Sequence, residues 1–288
     1  MAERGSPSVR RRQLAAELRR LRERAGLTGD QAAVTLGWSP SKISRLETSQ
    51  TGISADDLRK LIDLYQASED QRAELQVLFK ESSKTGPARA ANPPAGVAAF
   101  VYAEAEAEIS WAWEPQVIPG LLQTENYARQ TQLGWNSMFR LPPHELDAAV
   151  ATRLLRQQAL TRDQPLKLTA VIDESVLRRC FGDATVMREQ LDKLAELSEL
   201  PHVSIQVLPL SGSHPIGTGT FVYMRFAPIS KLQLPDIVFV EQLVGDYYIE
   251  DPAETNKFKV TFEQLRLAAL DEDLSRDLIV ATRRELWS

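Results

Sequence analysis

The sequence predicts a multidomain chain, a small all-helical domain of five helices followed by a larger mixed α/β (α+β) domain. Three observations lead there. At 288 residues the chain exceeds the usual size of a single hydrophobic core. Its apolar residues recur at steps of three and four up to about residue 81, and in short β-branched and aromatic runs further on. Between these regions "SSKTGPARAANPPAG" is rich in Ser, Gly, Pro and Ala and nearly free of bulky apolar side chains, which is linker composition. The expected domains are therefore residues 1–81 and 96–288, joined by a linker at 82–95.

The first helix is expected from Gln13 to Ala25, where Leu14, Leu18, Leu21 and Ala25 share one face. Thr28 and Gln31 have capping-box spacing and open a short second helix ending near Leu36. Ser39 is a good N-cap and Pro40 suits the first helical position, where its missing N–H costs nothing, so a third helix runs to about Glu47. Ser54 caps a fourth helix with the stripe Leu58, Leu61, Ile62 and Tyr65, and Ser68 opens a fifth carrying Leu75, Leu78 and Phe79. Strands are expected at Leu166–Asp173, Val203–Leu208, Phe221–Phe226 and Ile237–Glu241. A helical stretch at Met187–Leu200 separates the first two, which favours a parallel pair, while the later strands suit an antiparallel meander. Further helical patterns cover Thr124–Leu133, Leu146–Leu160 and the region from Phe258 onward.

Composition narrows the function classes. Apolar residues at 43% and charged residues at 25% are ordinary for a soluble globular protein. A lone cysteine, Cys180, cannot form an internal disulfide, and no Cys/His cluster has metal-ligand spacing. The arginine-studded N-terminus lacks an apolar signal region and no stretch is long and uncharged enough to span a bilayer, so a cytoplasmic protein without a membrane partner is expected. The formal net charge of -5 conceals an asymmetry: residues 1–50 hold 10 Lys and Arg against 5 Asp and Glu, whereas the rest hold 24 against 34. A basic head on an acidic body points to a polyanion bound at one end.

"LGWSPSKISRLE", Leu36 to Glu47, identifies that end. Two short helices around a glycine turn are the ingredients of a helix-turn-helix, whose second helix enters the DNA major groove. Ala33 provides the small residue at the crossing, Gly37 the turn, and Ile43 and Leu46 the inward pair. Ser39, Ser41, Lys42, Ser44 and Arg45 are then the DNA-contact candidates: Arg45 suits a guanine edge, Ser41 and Ser44 base edges, and Lys42 a phosphate. The arginines of the first helix surround its leucine stripe, so solubility accounts for most of them and only a subset can face one DNA backbone. Because one short helix reads few base pairs, a homodimer on double-stranded DNA is expected, with half-sites roughly 34 Å apart.

"LTGDQAAVTLGWSPSKISRLETSQTGIS" resembles the five-helix DNA-binding domain of Xre-type, phage-repressor-like regulators, with Gly37, Ile43, Leu46 and Glu47 matching the pattern. That family commonly opens its second helix with a phosphate-binding glutamine. Gly29 stands there in this chain, so the contact is lost or passes to Thr28 or Gln31. "WEPQVIPGLLQTENYARQ", with "RLLRQQAL", "AVIDESVLRR", "VSIQVLPL", "SHP" and "VFVEQL", resembles the C-terminal domain of a group of actinobacterial Xre-type regulators. The resemblance implies a regulator of development or secondary metabolism, often paired with a small protein encoded nearby in an antitoxin-like arrangement.

In the larger domain Trp111, Trp113, His214 and Tyr223 are candidates for contact with a small-molecule effector or a protein partner, and each also suits a packing role. Asp173, Glu174, Glu241, Glu250 and His214 do not assemble a recognisable catalytic motif, so the expected chain is not an enzyme and carries no cofactor, metal or catalytic residue. Two readings follow: a sequence-specific regulator, or an antitoxin-like interaction module that acts mainly by holding a small partner protein.

Overall fold

The computed structural model describes residues 8–82, 95–139, 142–212, 214–229, 232–242 and 245–288. Most of the expected linker, residues 83–94, lies outside them. The chain divides between residues 87 and 88 into two units, with Ala227–Leu234 assigned to the first.

The described residues of the first unit include five helices. α1 (Val9–Arg24) begins earlier than its leucine stripe implies, because Ser8 Oγ accepts from the Arg11 amide and caps it. α2 (Gly29–Leu36), α3 (Pro40–Glu47), α4 (Ala55–Leu64) and α5 (Glu69–Ser82) follow. Leu14, Leu18, Leu21, Ile43, Leu46, Leu58, Leu61, Ile62, Leu75 and Leu78 are buried together, each from the apolar stripe of its helix.

The second unit is built on a six-stranded sheet. Its elements are α6 (Ala95–Glu106), β1 (Ile109–Glu114), α7 (Glu125–Phe139), α8 (Pro143–Arg156), β2 (Lys167–Asp173), α9 (Glu174–Arg178), α10 (Ala184–Leu197), β3 (Val203–Leu208), β4 (Phe221–Arg225), β5 (Ile237–Val240), β6 (Tyr247–Ile249), α11 (Pro252–Ala268) and α12 (Glu272–Leu286). The strand order is β3-β2-β1-β4-β5-β6. β1, β2 and β3 are parallel and joined through helices, and β4, β5 and β6 continue antiparallel. The expected parallel pair and meander are both present, with the unforeseen β1 between them. Near the end one helix becomes two, because Asp271 caps α12 through its bond from the Leu274 amide at 2.8 Å.

Residue parity separates the two faces of the sheet. Trp113, Val171, Leu208, Phe221, Tyr223 and Val238 point to one side, where Phe262 and Leu265 of α11 complete a buried core. Ser110, Ala112, Glu114, Leu168, Val222 and Phe239 point to the other, where Phe100 of α6 stacks on Phe239 with ring centroids 4.2 Å apart. The free edge of β3 is covered: the Val207 amide donates to Ser275 Oγ and the Leu270 amide to the Val207 carbonyl, both at 2.9 Å.

Candidate nucleic-acid interface

The local sequence forces α2, the turn and α3 into one geometry. The Gln31 amide donates to Thr28 Oγ1 at 3.1 Å, and the Thr28 amide donates to Gln31 Oε1 at 2.8 Å, closing the capping box. Gly37 ends α2 at φ 66°, a left-handed conformation costly for any residue with a Cβ. The Trp38 amide then reaches the Ala33 carbonyl at 2.8 Å. Ser39 accepts from the Lys42 amide at 3.2 Å, and Pro40 occupies the first turn of α3. Ala32 and Ala33 are fully buried, so the α2 backbone approaches Ile43 and Leu46 closely.

Two ion pairs fix the orientation of α3. Glu47 takes Arg22 of α1 through Nε at 2.7 Å and Nη2 at 2.8 Å, a bidentate pair with both side chains about nine-tenths buried. Arg22 Nη1 also donates to the Leu27 carbonyl at 2.7 Å. Burial, with the Glu47 charge adding, raises the Tyr65 phenol well above its usual range, so it stays neutral and donates to Glu47 Oε1 at 3.5 Å. At the other end of α3, Lys42 Nζ lies 2.9 Å from Asp57 Oδ1 and 3.7 Å above the Trp38 ring. The phosphate duty expected of Lys42 is thus not where its ammonium rests: the proximity of Asp57 and the aromatic face holds it against the domain.

What remains outward on α3 and its C-cap is Ser41, Ser44, Arg45 and Thr48, all exposed. The spacing of three, four and seven from Ser41 places them on one face opposite Ile43 and Leu46. Arg45 Nε donates to the Ser41 carbonyl at 3.2 Å. Thr48 was missed in the sequence, although it continues the Ser41 and Ser44 row by one turn. An open cleft of about 450 Å³ runs beside this face, bounded by Arg19, Gly29, Asp30, Ser41, Ser44 and Thr48 among others. Thr28 and Gln31 stand exposed at the start of α2; the capping box uses Thr28 Oγ1 and Gln31 Oε1 as acceptors, so the Thr28 hydroxyl and the Gln31 Nε2 group can still donate to a phosphate.

A second concave site lies on the α6 and α8 side of the sheet. Arg156 binds Glu104 through Nε at 2.6 Å and Nη2 at 2.9 Å. Arg153, one turn earlier, has neutral partners, Gln123 Oε1 at 2.9 Å and Thr131 Oγ1 at 3.4 Å. Burial, with Arg156 beside it adding, lowers Arg153 to about 10, so it remains a cation at neutral pH. Burial pushes the Glu114 carboxyl up to about 7, against the opposing hydrogen bond from Thr220 Oγ1 at 2.7 Å.

Comparison with known families matches residues 13–75 to a helix-turn-helix domain and residues 97–281 to a domain of unknown function, DUF5753. The second match covers more than half of the chain. The chain belongs to the DUF5753 family. No curated protein and no solved structure matches it.

The DUF5753 domain uses three of the effector candidates as core. Trp113 and Tyr223 are almost wholly buried, and the Trp113 indole donates to the Thr218 carbonyl at 3.2 Å. Trp111 is stacked between Tyr223 and Phe262, at 4.9 and 5.3 Å. All three face away from the cavity, because the odd-numbered residues of β1 face α11 while Ser110, Ala112 and Glu114 face α6 and α8. His214 is exposed in the β3–β4 connection, with Nε2 3.2 Å from the Pro209 carbonyl and Nδ1 4.0 Å from Asp173 Oδ2. The cavity residues Ser110, Glu114 and Arg153 were missed. Their signal was present in the alternation of "SWAWE" and in the paired arginines of "RLLR", polar groups set at regular offsets among apolar ones. Among the described residues no group of three or more His, Cys, Asp or Glu is placed to hold a metal ion, and no helix is long and apolar enough to cross a membrane.

Proposed function

We propose that this chain is a sequence-specific DNA-binding transcriptional regulator that lays α3 in the major groove. The observation that carries the reading is the division of α3 into a locked inner face and an exposed polar outer face. Ile43, Leu46 and Glu47 are committed to the domain, leaving Ser41, Ser44, Arg45 and Thr48 for DNA. Arg45 reads a guanine edge, the hydroxyls reach neighbouring bases, and cations of α1 together with backbone N–H groups near the start of α2 contact phosphates. The regulator acts as a homodimer on a near-palindrome, since one recognition helix supplies too few base contacts for specificity alone. In this reading the DUF5753 domain is a sensor and not an enzyme, and it adjusts DNA binding in response to a bound effector.

The test is selection of binding sites from random duplex DNA, followed by anisotropy titrations of the selected and a scrambled duplex across a salt series. Enrichment of a palindrome whose half-sites are one helical turn apart, bound at least about 10³-fold tighter than the scrambled duplex, is expected. Equal affinity for both duplexes at every salt concentration would remove the sequence-specific reading.

A further inference from the structure

We propose that the cavity between the sheet and the helices α6 and α8 is a binding site for a small α-amino acid, or an amino-carboxylate of similar size, with Arg153 holding the ligand carboxylate and Glu114 and Glu241 facing its ammonium. This deepens the reading of the DUF5753 domain as a sensor by naming a ligand class.

The cavity measures about 60 Å³. One water needs roughly 10–15 Å³ on this scale, so the space suits about four to six non-hydrogen atoms. Its lining is unusual in what it leaves unmade. Ser110 is almost wholly buried and its hydroxyl has no hydrogen-bond partner among the described residues, although such groups ordinarily have one. Arg153 forms no ion pair among the described residues, whereas Arg156 on the same helix is neutralised by a bidentate carboxylate. Glu114 accepts from Thr220 and forms no ion pair among the described residues. Arg153 and Glu114 therefore line one cavity with opposite charges that do not close on each other.

The charge pattern selects the ligand. A bare anion placed against Arg153 would share the cavity with the carboxylates of Glu114 and Glu241, and a bare cation placed against those carboxylates would share it with Arg153. A zwitterion meets each charge with its opposite, and the Ser110 hydroxyl gains the partner it lacks. Glu241, also on the cavity wall, is exposed, so the solvent side lies toward it and leaves room for a ligand side chain there. The raised proton affinity of Glu114 agrees with a carboxylate whose countercharge arrives with a ligand.

The experiment is calorimetric titration of the full chain with glycine and each other proteinogenic L-amino acid, with acetate and methylammonium as the two half-ligands. At least one amino acid should bind saturably at one site per chain, with each half-ligand about tenfold weaker or worse. Arg153→Gln should weaken that amino acid about tenfold or more, and Ser110→Ala by roughly threefold to tenfold. Ser110→Ala removes no internal hydrogen bond, so it keeps the test readable if Arg153→Gln fails to fold. Absence of saturable binding by every amino acid, acetate binding as tight as the best amino acid, or unchanged affinity in folded Ser110→Ala would each overturn the assignment. Anisotropy with the selected duplex on the same preparation separates the two proposals. Intact DNA binding without amino-acid binding removes only this site, and the converse removes only the regulator reading.

Discussion

Arg45 and Lys42 sit three residues apart on one helix and are expected to behave differently. Arg45→Ala should weaken binding to the cognate duplex by about 1–3 kcal/mol and relax preference at one base pair, because it removes a base contact. Lys42→Ala should instead lower the stability of the helical unit by no more than about 1 kcal/mol, since its pair with Asp57 is partly exposed. It should also leave the salt slope of DNA binding nearly unchanged. A slope reduced by about one would show that Lys42 leaves Asp57 for a phosphate. Glu47→Gln strands the Arg22 guanidinium among buried atoms and should cost about 2–4 kcal/mol, read as a lowered melting temperature of the helical unit. Glu114 sets a pH dependence of known sign. Its carboxyl titrates near 4.5 unfolded and near 7 folded, where burial dominates and Thr220, Glu241, Arg153 and Arg156 modify the result. Between those values the folded state holds a proton that the unfolded state lacks, so stability falls as pH rises from about 4.5 to about 7 and is level above. Glu114→Gln should remove this fall and be more stable than wild type at pH 8 by at most about 3 kcal/mol, the difference vanishing below pH 4.

At the scale of elements, the helices of the first unit were legible because each carries its own punctuation. Thr28, Ser39 and Ser54 all cap where their spacing says they should, and the stripes behind them are buried. The strands β2 to β5 were legible for the complementary reason, as β-branched and aromatic runs buried on both faces. β1 was not read because Ser110, Ala112 and Glu114 are poor strand formers chosen for a polar cavity, and only the alternation with Trp111 and Trp113 betrays the strand. β6 is three residues long at the sheet edge, too short to show a period. The cavity itself draws on α6, β1, α8 and β4, and nothing local in the sequence states that these segments meet. Gly29 offers an element-scale test. A Cβ there would lie 3.9 Å from Ile43 Cγ2, an ordinary contact, so glutamine fits the first turn of α2 without moving α3. Gly29→Gln should stabilise the unit slightly and raise affinity for all duplexes alike in anisotropy titrations; a gain confined to the cognate sequence would place this position against a base.

Over the whole molecule the charge is divided as the proposed function requires. The first fifty residues carry the basic excess and the remainder the acidic excess, so DNA attracts one part of the chain and repels the other. In the proposed function the acidic excess beyond residue 50 opposes non-specific adsorption while the outer face of α3 is the contact surface. The central claim is that this face reads sequence. Immunoprecipitation of bound DNA from cells carrying wild type or Arg45→Ala tests it most directly. The account predicts a small set of sharp, palindromic sites for the wild type, lost or redistributed in Arg45→Ala while protein abundance is unchanged. Diffuse occupancy in both, or the same sharp sites in both, would contradict it.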